Sequence, residues 1–115
     1  MDHVQLAMPT GGEAKARMFF KDLLGMTELA KPETLSPHGC WFTSDPVQIH
    51  VGSDPDFKPA TKAHPALLVR DLQTLSQRLK AAGFPVTFDD RLPGYDRCFT
   101  EDPFGNRIEL MQPRT

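Results

Sequence analysis

Asp102-Pro103-Phe104-Gly105-Asn106-Arg107-Ile108-Glu109-Leu110 is the stretch on which the reading of this chain turns. Asp-Pro opens a turn by presetting φ, and Gly-Asn tolerates the positive φ that closes one. Arg107 to Met111 then alternates polar and apolar, as a half-buried strand does. Arg107, Glu109 and Met111 fall on one face, Ile108 and Leu110 on the other. A mid-strand carboxylate taken by itself is a solvent-facing residue. Glu109 does not stand by itself, because the same phrase occurs earlier in the chain.

Phe99-Thr100-Glu101-Asp102-Pro103 echoes Phe42-Thr43-Ser44-Asp45-Pro46, and each is followed by a short alternating strand. His50, in Val47-Gln48-Ile49-His50-Val51, occupies the place that Glu109 occupies in the second copy. The register shifts because the second turn is longer. Upstream, the helical stretch ending at Leu24-Gly25 matches the one ending at Ala82-Gly83. Further back, the strand opening at His3-Val4 matches the one opening at His64-Pro65. The chain thus reads as an α+β protein of 115 residues: a single domain made of two copies of strand, helix, strand, strand, strand. The copies cover about residues 1–57 and 60–115, and a period that long makes one fold of two modules, not a solenoid.

The elements follow from local pattern. A first strand is predicted over 2–8, with His3, Gln5 and Ala7 on one face. Helix one spans about 13–24, with Ala16, Phe19, Phe20, Leu23 and Leu24 as its apolar stripe and Gly25 as its stop. Weaker strand signals follow near 27–31, then over 39–43 and 47–51. Residues 52–62, with Pro55 and Pro59, form a connector of roughly 30–40 Å at full stretch. That length lets the modules pair within one chain or between two. Strand five covers 64–69, Asp71 caps a helix over 72–82 with Leu72, Leu75, Leu79 and Ala82 inward, and Gly83 ends it. Strands near 85–88 and 96–100 precede the last one.

A net charge of −2 and the absence of a basic run argue against a nucleic-acid partner. Nothing reaches membrane-spanning length, and a cytoplasmic protein is expected. Cys40 and Cys98 lie in strands without metal-type spacing, as buried reduced thiols. His3, His64, His50 and Glu109 sit at corresponding points of the repeat. If the modules pair about a pseudo-twofold axis, these four converge from four strands. Three imidazoles and a carboxylate around one point make a site for a divalent transition metal: Zn, Ni, Co or Fe(II) over Mg or Ca. His38 has no symmetry mate and reads as a surface residue.

Phe19-Phe20-Lys21-Asp22-Leu23-Leu24-Gly25-Met26, the openings His3-Val4 and His64-Pro65-Ala66-Leu67, and the stretch 102–109 resemble the vicinal oxygen chelate superfamily, over essentially the whole chain. That superfamily includes glyoxalase I, bleomycin-resistance proteins, fosfomycin-resistance thiol transferases and extradiol dioxygenases. The resemblance implies paired βαβββ modules, each curling a sheet around a cupped site, in a C2 homodimer. It also implies metal ligands at His3, His50, His64 and Glu109, and a small-molecule substrate chelated through vicinal oxygens to a Lewis-acidic metal. Glyoxalase I carries a carboxylate where this chain has His50, which leaves Glu109 as the obvious base for lyase or isomerase chemistry. Extradiol dioxygenases resemble the chain at His3, His64 and Glu109 as iron ligands, with His50 in the interval where they keep an acid–base histidine. His50 is thus read as ligand or acid–base group. The phosphonate-binding transferases need a cationic cluster, for which Arg91, Arg97 and Arg107 are candidates. A non-catalytic, metal-assisted binding or antibiotic-resistance protein is the remaining reading. Trp41, Phe99 and Tyr95 are candidates for the wall or lid of the site, although core packing is the expected role for Trp41 and Phe99.

Overall fold

Each copy of the repeat folds into the same five elements, and the computed structural model describes all of residues 1–115. The chain divides into two compact units, Met1–Pro59 and Ala60–Thr115. The first contains β1 (Val4–Met8), α1 (Glu13–Ala16) continued by a π-helical segment (Arg17–Leu23), β2 (Thr27–Leu29), β3 (Cys40–Ser44) and β4 (Val47–Ser53). The second contains β5 (Ala66–Leu68), α2 (Leu72–Ala81), β6 (Thr87–Phe88), β7 (Tyr95–Glu101) and β8 (Arg107–Pro113).

The sheets are four-stranded and mixed, ordered β1-β4-β3-β2 and β5-β8-β7-β6. In each, the first strand runs parallel to the last, and the remaining pairs are antiparallel. A parallel pair needs a crossover, which the helix of each module supplies. The registers confirm the internal repeat: His50 is opposite Gln5 and Trp41, and Glu109 is opposite Ala66 and Phe99. His3 precedes Gln5 by the same two positions that separate His64 from Ala66.

Alternation places the core. In the first unit Leu6, Met8, Phe42, Ile49 and Val51 are buried together with Ala16, Phe19 and Phe20 of the helical segment. Burying each such large apolar side chain stabilises the unit by roughly 1.5–3 kcal/mol. The sequence predicts a regular α-helix over 13–24, whereas the structure widens it to π after one turn. Leu24 N–H donates to the Phe19 carbonyl, five residues back. Phe19 and Phe20 are both fully buried, as the stripe predicts, with edge-on rings 4.9 Å apart, while Leu23 and Leu24 are only half-buried. In the second unit Leu72, Leu75 and Leu79 of α2 pack the same way, but Ala82, predicted inward, is exposed just past the helix end. Asp71 caps α2 by accepting from Thr74 N–H at 3.1 Å. Strand β4 continues two residues into the predicted connector, because Ala7 and Met8 pair with Gly52 and Ser53. His3 and His64 lie just ahead of β1 and β5 rather than inside them.

The turn before β8 is held by its own side chains. Asp102 Oδ1 accepts from the backbone N–H groups of Phe104 and Asn106, both at 2.9 Å, and Oδ2 accepts from Asn106 Nδ2 at 2.8 Å. Burial pushes the Asp102 carboxyl up from its ordinary pKa, and these donors offset part of that rise. Asn106 Oδ1 in turn accepts from Ala60 N–H at 2.9 Å, tying the start of this unit to its final strand.

Candidate metal centre

Each unit brings one pair of the predicted site residues together. Within neither unit do three His, Cys, Asp or Glu side chains gather as a metal-holding group.

In the second unit, β8 carries Glu109 beside the residues leading into β5. Glu109 N–H donates to the Pro65 carbonyl at 3.0 Å, which locks the backbone of the two candidate ligands together. His64 Nδ1 donates to the Lys62 carbonyl at 2.9 Å, and its Nε2 stands 2.9 Å from Glu109 Oε1. Glu109 is on the polar face of β8, yet it is only 6 % exposed. The reason is its surroundings: Phe99 lies opposite it, edge-on to the His64 ring at 5.6 Å, and Arg97 Nη1 donates to Oε2 at 3.2 Å. Arg97 also faces Asp89, whose carboxyl the Arg91 guanidinium holds well below the usual carboxylate range. Arg107 spreads over the Phe99 ring at 4.1 Å, and a cavity of about 400 Å³ opens along Phe99, Arg91 and Arg107.

In the first unit, His50 is sandwiched. The His3 ring stacks on one side at 3.9 Å and the Trp41 ring packs at 4.0 Å, all within 13° of parallel. His50 Nε2 donates to Gln48 Oε1 at 3.1 Å, and His3 Nδ1 donates to Asp2 Oδ2 at 2.8 Å. Burial pulls the His50 pKa below its ordinary value, and the neighbouring His3 adds to the effect, so the imidazole is held neutral. A cavity of about 640 Å³ opens on this face, lined by His3, Gln5, Lys31, Trp41, Gln48 and His50.

The donor set suits a divalent transition metal on three counts. It consists of imidazole nitrogens and a carboxylate oxygen. His64 gives its Nδ1 proton to a backbone carbonyl, the usual way a protein orients a coordinating Nε2. The Nε2–Oε1 separation of 2.9 Å matches two adjacent ligands on one ion, since bonds of about 2.0–2.2 Å near right angles put their ends about 3 Å apart. His3, oriented by Asp2, fits the same pattern. His50 does not fit beside His3 in its present orientation. An imidazole coordinates in its ring plane, and nearly parallel stacked planes do not meet within a metal–nitrogen bond length of both rings.

His38 is exposed, as expected. Trp41 and Phe99 are half-buried walls of the two cavities rather than core. Sequence reasoning missed Gln5 and Lys31, although Gln5 shares its strand face with His3 by simple alternation. Gly52 makes room for Gln5, since a Cβ there would stand 2.5 Å from the Gln5 amide nitrogen.

The description glyoxalase/bleomycin resistance protein/dioxygenase superfamily belongs to the family model that matches residues 1–110. The chain belongs to that superfamily. Among solved structures, a protein described as a glyoxalase family member from Bacillus anthracis is 43% identical. The match covers 99% of this chain and 94% of that one, with a TM-score of 0.93. The fosfomycin resistance protein FosX from Listeria monocytogenes shares the fold at 18% identity, covering 99% of this chain and 93% of its own, with a TM-score of 0.80. A mutant of that FosX was crystallised with Mn(II) and 1S,2S-dihydroxypropylphosphonic acid. Lactoylglutathione lyase from Agrobacterium tumefaciens matches at 18% identity, covering 95% and 91% of the two chains, with a TM-score of 0.69. Curated protein sequences gave no match. The superfamily's two-module βαβββ fold is thus the fold of this chain, as its sequence predicts. No helix is long and apolar enough to cross a membrane.

Proposed function

We propose that the chain is a small metal-dependent enzyme, a glyoxalase-like lyase or isomerase, in which His3, His64 and Glu109 hold one divalent transition metal. The observation that carries this reading is the His64–Glu109 pair, at ligand spacing with Nδ1 already committed to the Lys62 carbonyl. When bound, the metal supplies Lewis acidity to a substrate chelated through vicinal oxygens. The protein's own part is to position and to move protons. Asp2 and the Lys62 carbonyl orient the two histidines. Glu109 is the candidate base, and the Phe99 ring opposite it shields it from water. His50, neutral and stacked, is a further candidate proton acceptor or donor. A four-ligand set that includes His50 requires the His50 ring to leave its stack.

A second reading is an extradiol-type dioxygenase with Fe(II). It is favoured by the two-histidine, one-carboxylate composition of the set once His50 stands outside it. A metal-anchored binding or resistance protein is the non-catalytic counterpart. For any of these a small molecule is the partner, in a homodimer whose modules pair within one chain or across two, and the reduced thiols fit a cytoplasmic setting.

Metal analysis of protein purified without tag or chelator tests the reading. We expect about one Zn, Ni, Co or Fe per chain, lost in His64→Ala and kept in His38→Ala. Wild-type protein that takes up none of these metals overturns it. His50→Ala is expected to keep its metal and to lower turnover roughly 10²–10⁴-fold. Loss of metal from that variant establishes the four-ligand set instead.

A further inference from the structure

Glu109 does not offer its two oxygens equally. Oε1 faces His64, while Oε2 is taken by Arg97 Nη1 at 3.2 Å. Arg97 sits on β7 opposite Met111, two residue pairs along the ladder from the Phe99–Glu109 pair, so it reaches Glu109 diagonally across the same face. Its side chain is only 17 % exposed, its Nη2 stands 3.5 Å from Asp89 Oδ1, and its guanidinium carbon lies 5.2 Å from the Phe99 ring centre. Asp89 is fixed from the other side by Arg91. A planar guanidinium pinned between two carboxylates and against a ring has little freedom, so the orientation it imposes on Glu109 is well defined.

A carboxylate can bind a metal through one oxygen or both, and the choice decides how many positions on the ion remain for a substrate. With Oε2 in a charge-assisted hydrogen bond, Glu109 presents Oε1 alone. We propose that Arg97 is a positioning residue that restricts Glu109 to one-oxygen ligation beside His64, with Asp89 holding Arg97 in place. A metal held in this way would keep for a substrate the position that a second Glu109 oxygen would otherwise take. This inference rests on the metal-binding reading above and concerns the mode of ligation.

Co²⁺ alone, added to the full chain, is a probe whose visible absorption reports coordination number and ligand type. Arg97→Ala is expected to tighten Co²⁺ binding roughly 3–10-fold, because it removes a cation beside the ion and frees the second Glu109 oxygen. Its absorption bands should shift toward higher coordination as both Glu109 oxygens engage. Arg97→Lys, which keeps one charged donor, is expected to return toward the wild-type affinity and bands. Asp89→Asn, which frees Arg97 without removing it, is expected to shift the bands less than Arg97→Ala. Should Arg97→Ala fail to fold by circular dichroism, the Lys and Asp89→Asn variants carry the test. Unchanged bands and affinity in the folded variants, with wild-type protein binding Co²⁺, overturn this proposal alone. Wild-type protein that binds no Co²⁺ overturns the metal reading and this proposal with it.

Discussion

Asp102 shows how much one side chain can organise. It is 3 % exposed and its carboxylate accepts from two backbone amides and from Asn106 Nδ2. Truncation to alanine leaves those donors buried without an acceptor, which costs more than the hydrogen bonds themselves contribute. We expect Asp102→Ala to lower unfolding free energy by about 2–3 kcal/mol in urea titrations, at unchanged m-value. A loss under about 0.5 kcal/mol would show that water replaces the carboxylate at no net cost. The buried thiols behave differently. Burial raises Cys98 to about 11 despite an opposing pull from Lys80, so it is a neutral packing group at physiological pH.

Among the secondary structures, the strand carrying His50 depends on a glycine outside it. Gly39 has φ of +93°, and a Cβ there would stand 2.6 Å from the Val51 carbonyl oxygen of β4. Gly25, the stop of the first helical segment, has φ of +79° with open space around it. Alanine at Gly25 therefore meets only a torsional penalty, about 1–2 kcal/mol. Alanine at Gly39 meets that penalty and a clash with backbone that has no rotamer to yield. Gly39→Ala is expected to destabilise more than Gly25→Ala in thermal melts, and to disturb the neighbouring His50–Trp41 stack, read by Trp41 fluorescence. Equal losses with unchanged fluorescence would mean that β4 shifts freely.

For the assembled protein, each sheet has a face lined by polar and aromatic groups and an edge strand to be satisfied, which favours self-association. We expect a C2 dimer by sedimentation at micromolar concentration. A monomer that still holds its metal would refute the dimer and leave the ligand assignment standing.

The repeat made most of the fold legible. Glycines after each helix, Asp-Pro turns and strict alternation are local signals, set by torsional preference and by the two faces of a strand. They placed the eight strands in order and put His50 and Glu109 at equivalent positions. Strand ends were less legible, as with the last residues of β4, because pairing partners extend a strand past its own propensity. The candidate site was legible as a set of residue types, and its orientation was not. No spacing in the sequence states that His50 lies between two rings, that Glu109 gives one oxygen to Arg97, or that a carboxylate on the polar face is buried. Those depend on side chains from separate strands competing for the same space and the same hydrogen-bond partners, which is decided only when the sheets have folded.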